Sequence, residues 1–370
     1  MPNPFHYGTP VSGDQFTGRE AELRALVGRM RDGINVVVVS PRRYGKTSLL
    51  HKAAATVERS GGSVVTVNVL RCRDLGALAG QLLSQIYRVR GGSWHRLRQA
   101  VPEFLRRFRI VPSVTFANDQ PRFTFSPTLS ALDADAVIAD VYATLAELAE
   151  KRPAVLVLDE FQAVLDLAAH LPALFKALAD EHPAVSLVLA GSKRHLMEGL
   201  VVARDAPLYG MAEHLALDVL PHDVMQTFLI ERAKAGGKTL RAESAQLIEE
   251  LAGPVPNDIQ HLAYEVFDVA AKTITEQDVR EGLRLAVEHE AGLHADRYEA
   301  LSPGQRRVVA ELALEPSAHP LSAAFVQAVG LANSSSVRKA LDALEAAEIV
   351  ESRDGRYRVA NPFFAAWLRQ

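Results

Sequence analysis

Over roughly the first 220 residues, short apolar runs alternate with longer stretches of helical periodicity, the order expected of a parallel α/β sheet. "INVVVV" (34–39) is an unbroken β-branched run, suited to a strand buried on both faces. "SVVTVNV" (63–69), "AVLVLD" (154–159), "AVSLVLAGS" (184–192) and "HLALDVL" (214–220) read as further strands. Helical pattern runs from Thr47 to about Arg59 and stops at Gly61-Gly62; other helices are expected near 74–89, 133–150 and 168–181. Residues 91–130 break this rhythm with the basic residues Arg96, Arg98, Arg106, Arg107, Arg109 and Arg122, and the segment ends in the hairpin-like "SVTFANDQPRFTF". It reads as an insertion, either a basic contact surface or a solvated segment of no special role.

After Pro221 only helical patterns remain up to about 290, broken at "GG" (236–237) and "GPVP" (253–256). Helices near 303–314, 321–329 and 334–347 then precede "IVESRDGRYRV", two short strands around an Asp-Gly turn. Helix, helix, helix, hairpin is the order of a winged-helix module. The expected domains are therefore an α/β domain over 1–220, a helical domain over 221–290 and a winged helix over 291–370.

Composition narrows the function classes. The chain has 370 residues, 48% hydrophobic, with 41 basic against 44 acidic residues, so it is no polycation and any nucleic-acid case rests on local patches. Cys72 is the only cysteine, which excludes an internal disulfide and a cysteine-built zinc site. Arg71 and Arg73 flank it and would favour a reactive thiolate, against the plainer reading of a structural thiol. The first residues lack a basic-then-apolar signal pattern and no membrane-length apolar stretch occurs, so a cytoplasmic location with no membrane contact is expected. The 12 histidines show no ligand spacing on a shared helix face, so no metal beyond Mg²⁺ is expected.

The chemistry lies in "SPRRYGKTSLL" (40–50), between the valine run and a helix. A phosphate-binding loop has a glycine, four residues, then Gly-Lys-Ser/Thr; here Gly45, Lys46 and Thr47 fit, and Ser40 takes the opening glycine's place. Backbone N–H groups of such a loop and of the helix it opens face the phosphates. Lys46 would reach the β- and γ-phosphates, the Thr47 hydroxyl would ligate Mg²⁺, and Gly45 lets the backbone approach the anion. Ser40 is small and at a strand end need not adopt a positive φ. "AVLVLDEFQ" supplies the second half: Asp159 would hold Mg²⁺ through its water shell, and Glu160 would deprotonate the attacking water. The alternative for that pair is a strand end capped by two exposed carboxylates, but with the loop upstream a nucleotide site for ATP or ADP is the stronger reading.

Together these stretches resemble the AAA+-related signal-transduction ATPases with numerous domains (STAND), in particular their prokaryotic archaeal-type branch. "FTGREAEL" (16–23) matches the family's N-terminal motif, which implies that Phe16, Gly18 and Arg19 lie near the adenine. "PRRYGKTSLL" is similar to its phosphate loop, so Pro41, Arg42, Arg43, Tyr44 and Ser48 join Ser40, Gly45, Lys46 and Thr47 as nucleotide-binding candidates. "LVLDEFQ" resembles its acidic strand end, including Gln162, and "LVLAGS" puts Ser192 at a sensor position. "GPVPNDIQHLA" resembles the lid, which implies Pro256 beside the nucleotide; the following helix is expected to begin near Asn257-Asp258. The resemblance implies a P-loop NTPase fold of AAA+/ASCE type: a parallel sheet core, a helical lid and a C-terminal winged helix. Two positions depart from it. Met211 follows "PLYG" where the family has arginine, and Asn257 stands where relatives place a cation. Neither neutralises phosphate charge, so slow turnover suited to a switch is expected; Arg194 and Arg204 lie nearby in sequence.

The implied partners are ATP and either another protein or a second copy of the chain. DNA is less favoured: residues 291–370 carry nine basic and nine acidic residues, and Asp342, Glu345 and Glu348 share the third helix with Arg338 and Lys339. Two alternatives stay open: an ATP-dependent DNA-binding initiator or regulator, and a scaffold with permanently bound ADP.

Overall fold

The computed structural model describes residues 2–11, 13–90, 113–117, 120–124, 130–192, 194–201, 203–204 and 206–370. They divide into two compact units, Pro10–Asp218 and a second made of Met1–Thr9 with Val219–Gln370. The first contains α1 (Glu20–Arg31), β1 (Val36–Val39), α2 (Lys46–Arg59), β2 (Ser63–Asn68), α3 (Leu75–Arg90), β3 (Ser113–Ala117), β4 (Gln120–Thr124), α4 (Ala131–Ala149) and β5 (Ala154–Asp159). It continues with α5 (Val164–Leu167), α6 (Leu171–Glu181), β6 (Val185–Gly191), α7 (Arg194–Val201) and β7 (Glu213–Ala216).

Five strands form one parallel sheet in the order β2-β5-β6-β1-β7. Alternation along each strand feeds two cores. Val37, Leu156 and Leu187 pack with Leu82 of α3, Val141 of α4 and Phe175 of α6. Val36, Val38, Val157 and Val188 pack with Leu26 and Met30 of α1 and Leu49 and Ala53 of α2 on the other face. This double burial is why the strands read as solid β-branched runs; each fully buried valine contributes about 1.5–3 kcal/mol. β6 lies between β1 and β5, so the loop after β1 and the acidic end of β5 share one sheet edge with β6's end between them. That edge, at the carboxyl ends of parallel strands where the order reverses, is where α/β sheets bind ligands.

Local differences from the pattern have visible causes. β7 ends at Ala216, not 220: it is an edge strand, and just beyond it Leu217 still donates its N–H to the Val39 carbonyl at 3.1 Å while its side chain packs against the sheet's second face. The helix expected over 168–181 starts three residues late, at Leu171, because Ala168 is extended after the short helix Val164–Leu167; Pro172 sits in its first turn, where a missing N–H costs nothing. The expected hairpin is present as antiparallel β3 and β4; Trp94 and the arginines from 96 to 109 lie outside the described residues.

The second unit contains α8 (His222–Ala235), β8 (Thr239–Leu240), α9 (Ala242–Ala252), α10 (Pro256–Val269), β9 (Thr273–Ile274) and α11 (Glu276–His289). It ends with α12 (Ala291–Glu299), α13 (Pro303–Leu314), α14 (Ala323–Ala328), α15 (Ser334–Ala346), β10 (Val350–Arg353), β11 (Arg356–Val359) and α16 (Pro362–Leu368). The all-helical expectation for 222–290 needs correction, because β8 and β9 form a two-residue parallel pair. Residues 2–9 also leave the α/β domain: Phe5 is fully buried in the helical core, edge-on to Phe267, and Asn3 donates to the Tyr264 carbonyl and the Asp268 carboxylate.

In the C-terminal module the stripe of Val337, Ala340, Leu341 and Leu344 on α15 is buried. The β10–β11 turn places Asp354 (φ 52°) and Gly355 (φ 72°) both left-handed, as a tight hairpin turn demands. α16 joins the two cores of this unit, Phe363 entering the one formed by α8–α11 and Phe364, stacked on Trp367, the other. Among the described residues no helix is long and apolar enough to cross a membrane.

Candidate nucleotide site

β1 ends in a loop held from both sides. The Ser40 N–H donates to the carbonyl of Gly191 on β6, and the Ser40 hydroxyl to the Pro41 carbonyl. Ser40 is 1% exposed and outside the positive-φ region, so the absent glycine removes no needed backbone freedom. The left-handed residues are Arg43 (φ 70°) and Gly45 (φ 87°); Gly45 precedes the first residue of α2 and turns the chain into it. α2 begins at Lys46, with no side chain capping its N-terminus, so its first N–H groups face the loop. Pro41, Arg42 and Arg43 are exposed and Tyr44 is buried. Ser48 accepts from the Val11 N–H at 3.0 Å.

The two halves of the site meet. The Lys46 ammonium, 5% exposed, contacts Asp159 Oδ1 and lies 3.0 Å from Glu160 Oε1. Thr47 Oγ1 donates to Asp159 Oδ2 at 2.9 Å. Ser192 Oγ and Gln162 Nε2 both donate to Glu160 Oε2, at 2.7 and 2.6 Å. Lys46, Thr47, Asp159, Glu160 and Ser192 thus form one hydrogen-bonded cluster. Burial would raise the Glu160 carboxyl, but the Lys46 charge and the hydrogen bonds from Gln162, Ser192 and Lys46 hold it below the ordinary carboxylate value. Glu160 itself is left-handed (φ 53°), a rare conformation for such a residue that tends to persist where function requires it. The donor set fits a hydrated Mg²⁺: hydroxyl and carboxylate touch, and this ion takes one or two protein oxygens beside phosphates and waters.

The candidates from the N-terminal motif take other positions. Gly18 (φ 70°) turns the chain into Arg19, the N-cap of α1. The Arg19 guanidinium is buried and donates to Glu22 at 2.8 Å, to the Tyr44 carbonyl at 3.4 Å and to the Asp218 carbonyl. Arg19 therefore ties the phosphate loop to the exit of β7. Phe16 packs between α1 and α2 with the Lys52 ammonium 4.1 Å above its ring. Pro256 belongs to the second unit; it is the first residue of α10, whose N-cap is Val255. The helix start expected at Asn257-Asp258 is thus corrected, because proline's missing N–H and fixed φ suit the first helical position. Asn257 instead accepts from the Gly8 N–H at 2.8 Å. Met211 packs against the first core and Arg204 is exposed.

Two positions escaped sequence reading. Asn68, the last residue of β2, lies 3.5 Å from Asp159 Oδ2 through its amide; a polar residue ending an apolar strand was its only signal. Gly191 ends β6 where an added Cβ would meet Met197 at 2.4 Å and Gln162 Oε1 at 2.6 Å. Cys72 is the buried thiol of the plainer reading: burial, with Asp74 beside it, pushes it up to about 11.

A phosphate loop, an acidic strand end and a serine hydroxyl hydrogen-bonded to it on one parallel sheet edge define a P-loop ATPase. The chain belongs to the family of ATPase domains found predominantly in Archaea, which matches residues 16–262, and residues 294–370 match a probable winged-helix domain. Solved structures share the fold. The Walker-type ATPase PABY2304 of Pyrococcus abyssi is 18% identical with a TM-score of 0.69, over 99% of this chain and 100% of that one. The ORC2 protein of Aeropyrum pernix, solved as ADPNP–ADP complexes, is 15% identical with a TM-score of 0.58, over 95% and 93%. The ORC1 protein of Aeropyrum pernix, solved in complex with DNA, is 15% identical with a TM-score of 0.52, over 96% and 93%. No curated protein matches the sequence.

Proposed function

We propose that the protein is a Mg²⁺-dependent ATPase of the STAND kind that hydrolyses ATP slowly and acts as a nucleotide-controlled switch. The observation that carries this reading is the single cluster of Lys46, Thr47, Asp159, Glu160 and Ser192 at the loop. Lys46 exchanges its carboxylate partners for the β- and γ-phosphates. Thr47 and Asp159 hold Mg²⁺, which supplies charge neutralisation at the phosphates. Glu160, fixed by Ser192 and Gln162, accepts the proton of the attacking water. Met211 and Asn257 leave two positions without the cation that would speed phosphoryl transfer, hence the slow rate. Lys46→Ala should lower MgATP affinity by about a hundredfold or more, roughly 2.7 kcal/mol, and Glu160→Gln should bind ATP but lose about 10²–10⁴ in turnover. Unchanged affinity in Lys46→Ala would sink the assignment.

A second reading draws on the likeness to an ORC1 protein solved with DNA: an ATP-dependent DNA-binding initiator or regulator. Arg338 and Lys339 are exposed on α15, but so is Asp342. A salt titration of duplex binding separates the readings; no binding at low salt, with or without ATP, eliminates the second.

A further inference from the structure

The second unit holds a cavity of about 610 Å³, within the usual size range of small-molecule sites. Helices α8 and α9 and the Gly253-Pro254 turn form one wall, and the β10–β11 hairpin forms the other. Its apolar lining includes Leu220, Met225 and Ile259, the last two 2% exposed. The walls carry both signs of charge: Glu249, Glu250 and Asp354 face the cavity together with Arg353 and Arg358.

Two of these charged groups are incompletely satisfied. Glu249 is 8% exposed, and its Oε2 is buried with no hydrogen bond. The His222 ring lies 3.6 Å from that oxygen and is itself 84% exposed. Burial raises the Glu249 carboxyl, against the lowering pull of Gln226 and His222. Across the cavity wall, Arg358 gives one N–H to the Arg353 carbonyl at 3.3 Å and lies 3.9 Å from Asp354, yet its Nε is buried without an acceptor. A buried carboxylate oxygen lacking a donor and a buried guanidinium N–H lacking an acceptor each carry a desolvation penalty that one molecule of the right polarity removes. A plain amine would answer the first and leave the second, and a plain carboxylate the reverse.

We propose that this cavity binds a small aliphatic aminocarboxylate, its ammonium directed to Glu249, its carboxylate to Arg358 and its hydrocarbon part to Met225 and Ile259. The exposed His222 ring swings aside to admit the ammonium. Because helices α8 and α9 and the winged-helix hairpin share the site, ligand binding holds these parts of the unit together.

Titration calorimetry on the full chain tests the assignment with four probes: L-leucine and 6-aminohexanoate, whose charges are adjacent and separated, and hexylamine and hexanoate, which each carry one charge. At least one zwitterion should bind saturably at one site, with hexylamine and hexanoate at least roughly tenfold weaker. Glu249→Gln and Arg358→Met should each weaken the zwitterion by roughly tenfold or more. Gln246→Trp, at an exposed position of the wall, should block binding without altering either charge, so the test survives if a charge variant does not fold. No saturable binding by either zwitterion, hexylamine binding as tightly as the zwitterions, or undiminished zwitterion binding in Gln246→Trp would each overturn the proposal.

Discussion

Lys46 sets one ammonium against two carboxylates, so it offsets only half of their charge and much of the cluster's balance depends on that side chain. The Glu160 carboxyl is pulled in opposite directions, upward by burial and downward by the Lys46 charge and by hydrogen bonds from Gln162, Ser192 and Lys46. The net lowering means that Glu160 is ionised, and so able to accept a proton, throughout the neutral range. The sign for stability follows from the same shift. A carboxyl held lower in the folded state than in the unfolded chain contributes stability that is present above its unfolded value of 4.5 and lost as pH falls through its folded value. In Lys46→Met the burial penalty remains while the charge and one hydrogen bond are gone, so the Glu160 carboxyl should titrate at a higher pH than in the native protein. Carbon-detected NMR of glutamate carboxyls across an acid titration measures this. A Glu160 resonance titrating at the same pH in both proteins would show that Lys46 does not govern it.

At the scale of elements, β6 sets the spacing of the site because it separates β1 from β5 and ends beside both. Its last residue, Gly191, accepts from Ser40 of the loop and leaves no room for a methyl group beside Met197 and Gln162. Gly191→Ala should therefore displace Gln162 from Glu160 or shift α7, destabilising the first unit by about 1–3 kcal/mol. Pairing it with Met197→Ala, which opens space, should recover part of that loss in chemical denaturation. Equal stability of Gly191→Ala and the native protein would show that the neighbours yield freely. β6 also marks how far the elements could be read in advance. Val36–Val39, Ala154–Asp159 and Val185–Gly191 were legible because burial on both faces makes them unbroken apolar runs. Lys46, Thr47, Asp159 and Glu160 were legible because loop and strand-end chemistry is local in sequence. Asn68 and Gly191 were not, since their roles come from neighbours about 90 and 30 residues away in other chain segments. The β8–β9 pair is too short to carry a period, and Leu217 showed that an apolar residue beyond an edge strand is equally a packing residue.

At the scale of the whole molecule, the chain starts in one unit, builds the other and returns. Phe5 gives the second unit a core residue from the opposite end of the sequence, fully buried against Phe267. Phe5→Ala should cost about 3–5 kcal/mol in that unit's unfolding while leaving the Pro10–Asp218 unit's transition in place; a single transition shifted as a whole would show that the two units unfold together. The same return path bears on nucleotide sensing. At the start of α10, where relatives of the resembling family place a cation, Asn257 accepts from Gly8 and donates to Asp258 at 3.1 Å, and Asp258 is 2% exposed. An acidic first turn suits the helix's own dipole but offers a γ-phosphate no positive side chain. The same end of α10 has Pro256 at its first position, which lacks an N–H to give. On the proposed reading, the start of α10 offers a nucleotide only its remaining backbone N–H groups and its dipole, worth about 1 kcal/mol. Affinities for MgADP and a non-hydrolysable ATP analogue, measured on the full chain, should then differ by less than about tenfold. A preference for the ATP analogue of about a hundredfold, near 2.7 kcal/mol, would require a strong cationic sensor elsewhere in the protein, with Arg194 and Arg204 the first to substitute.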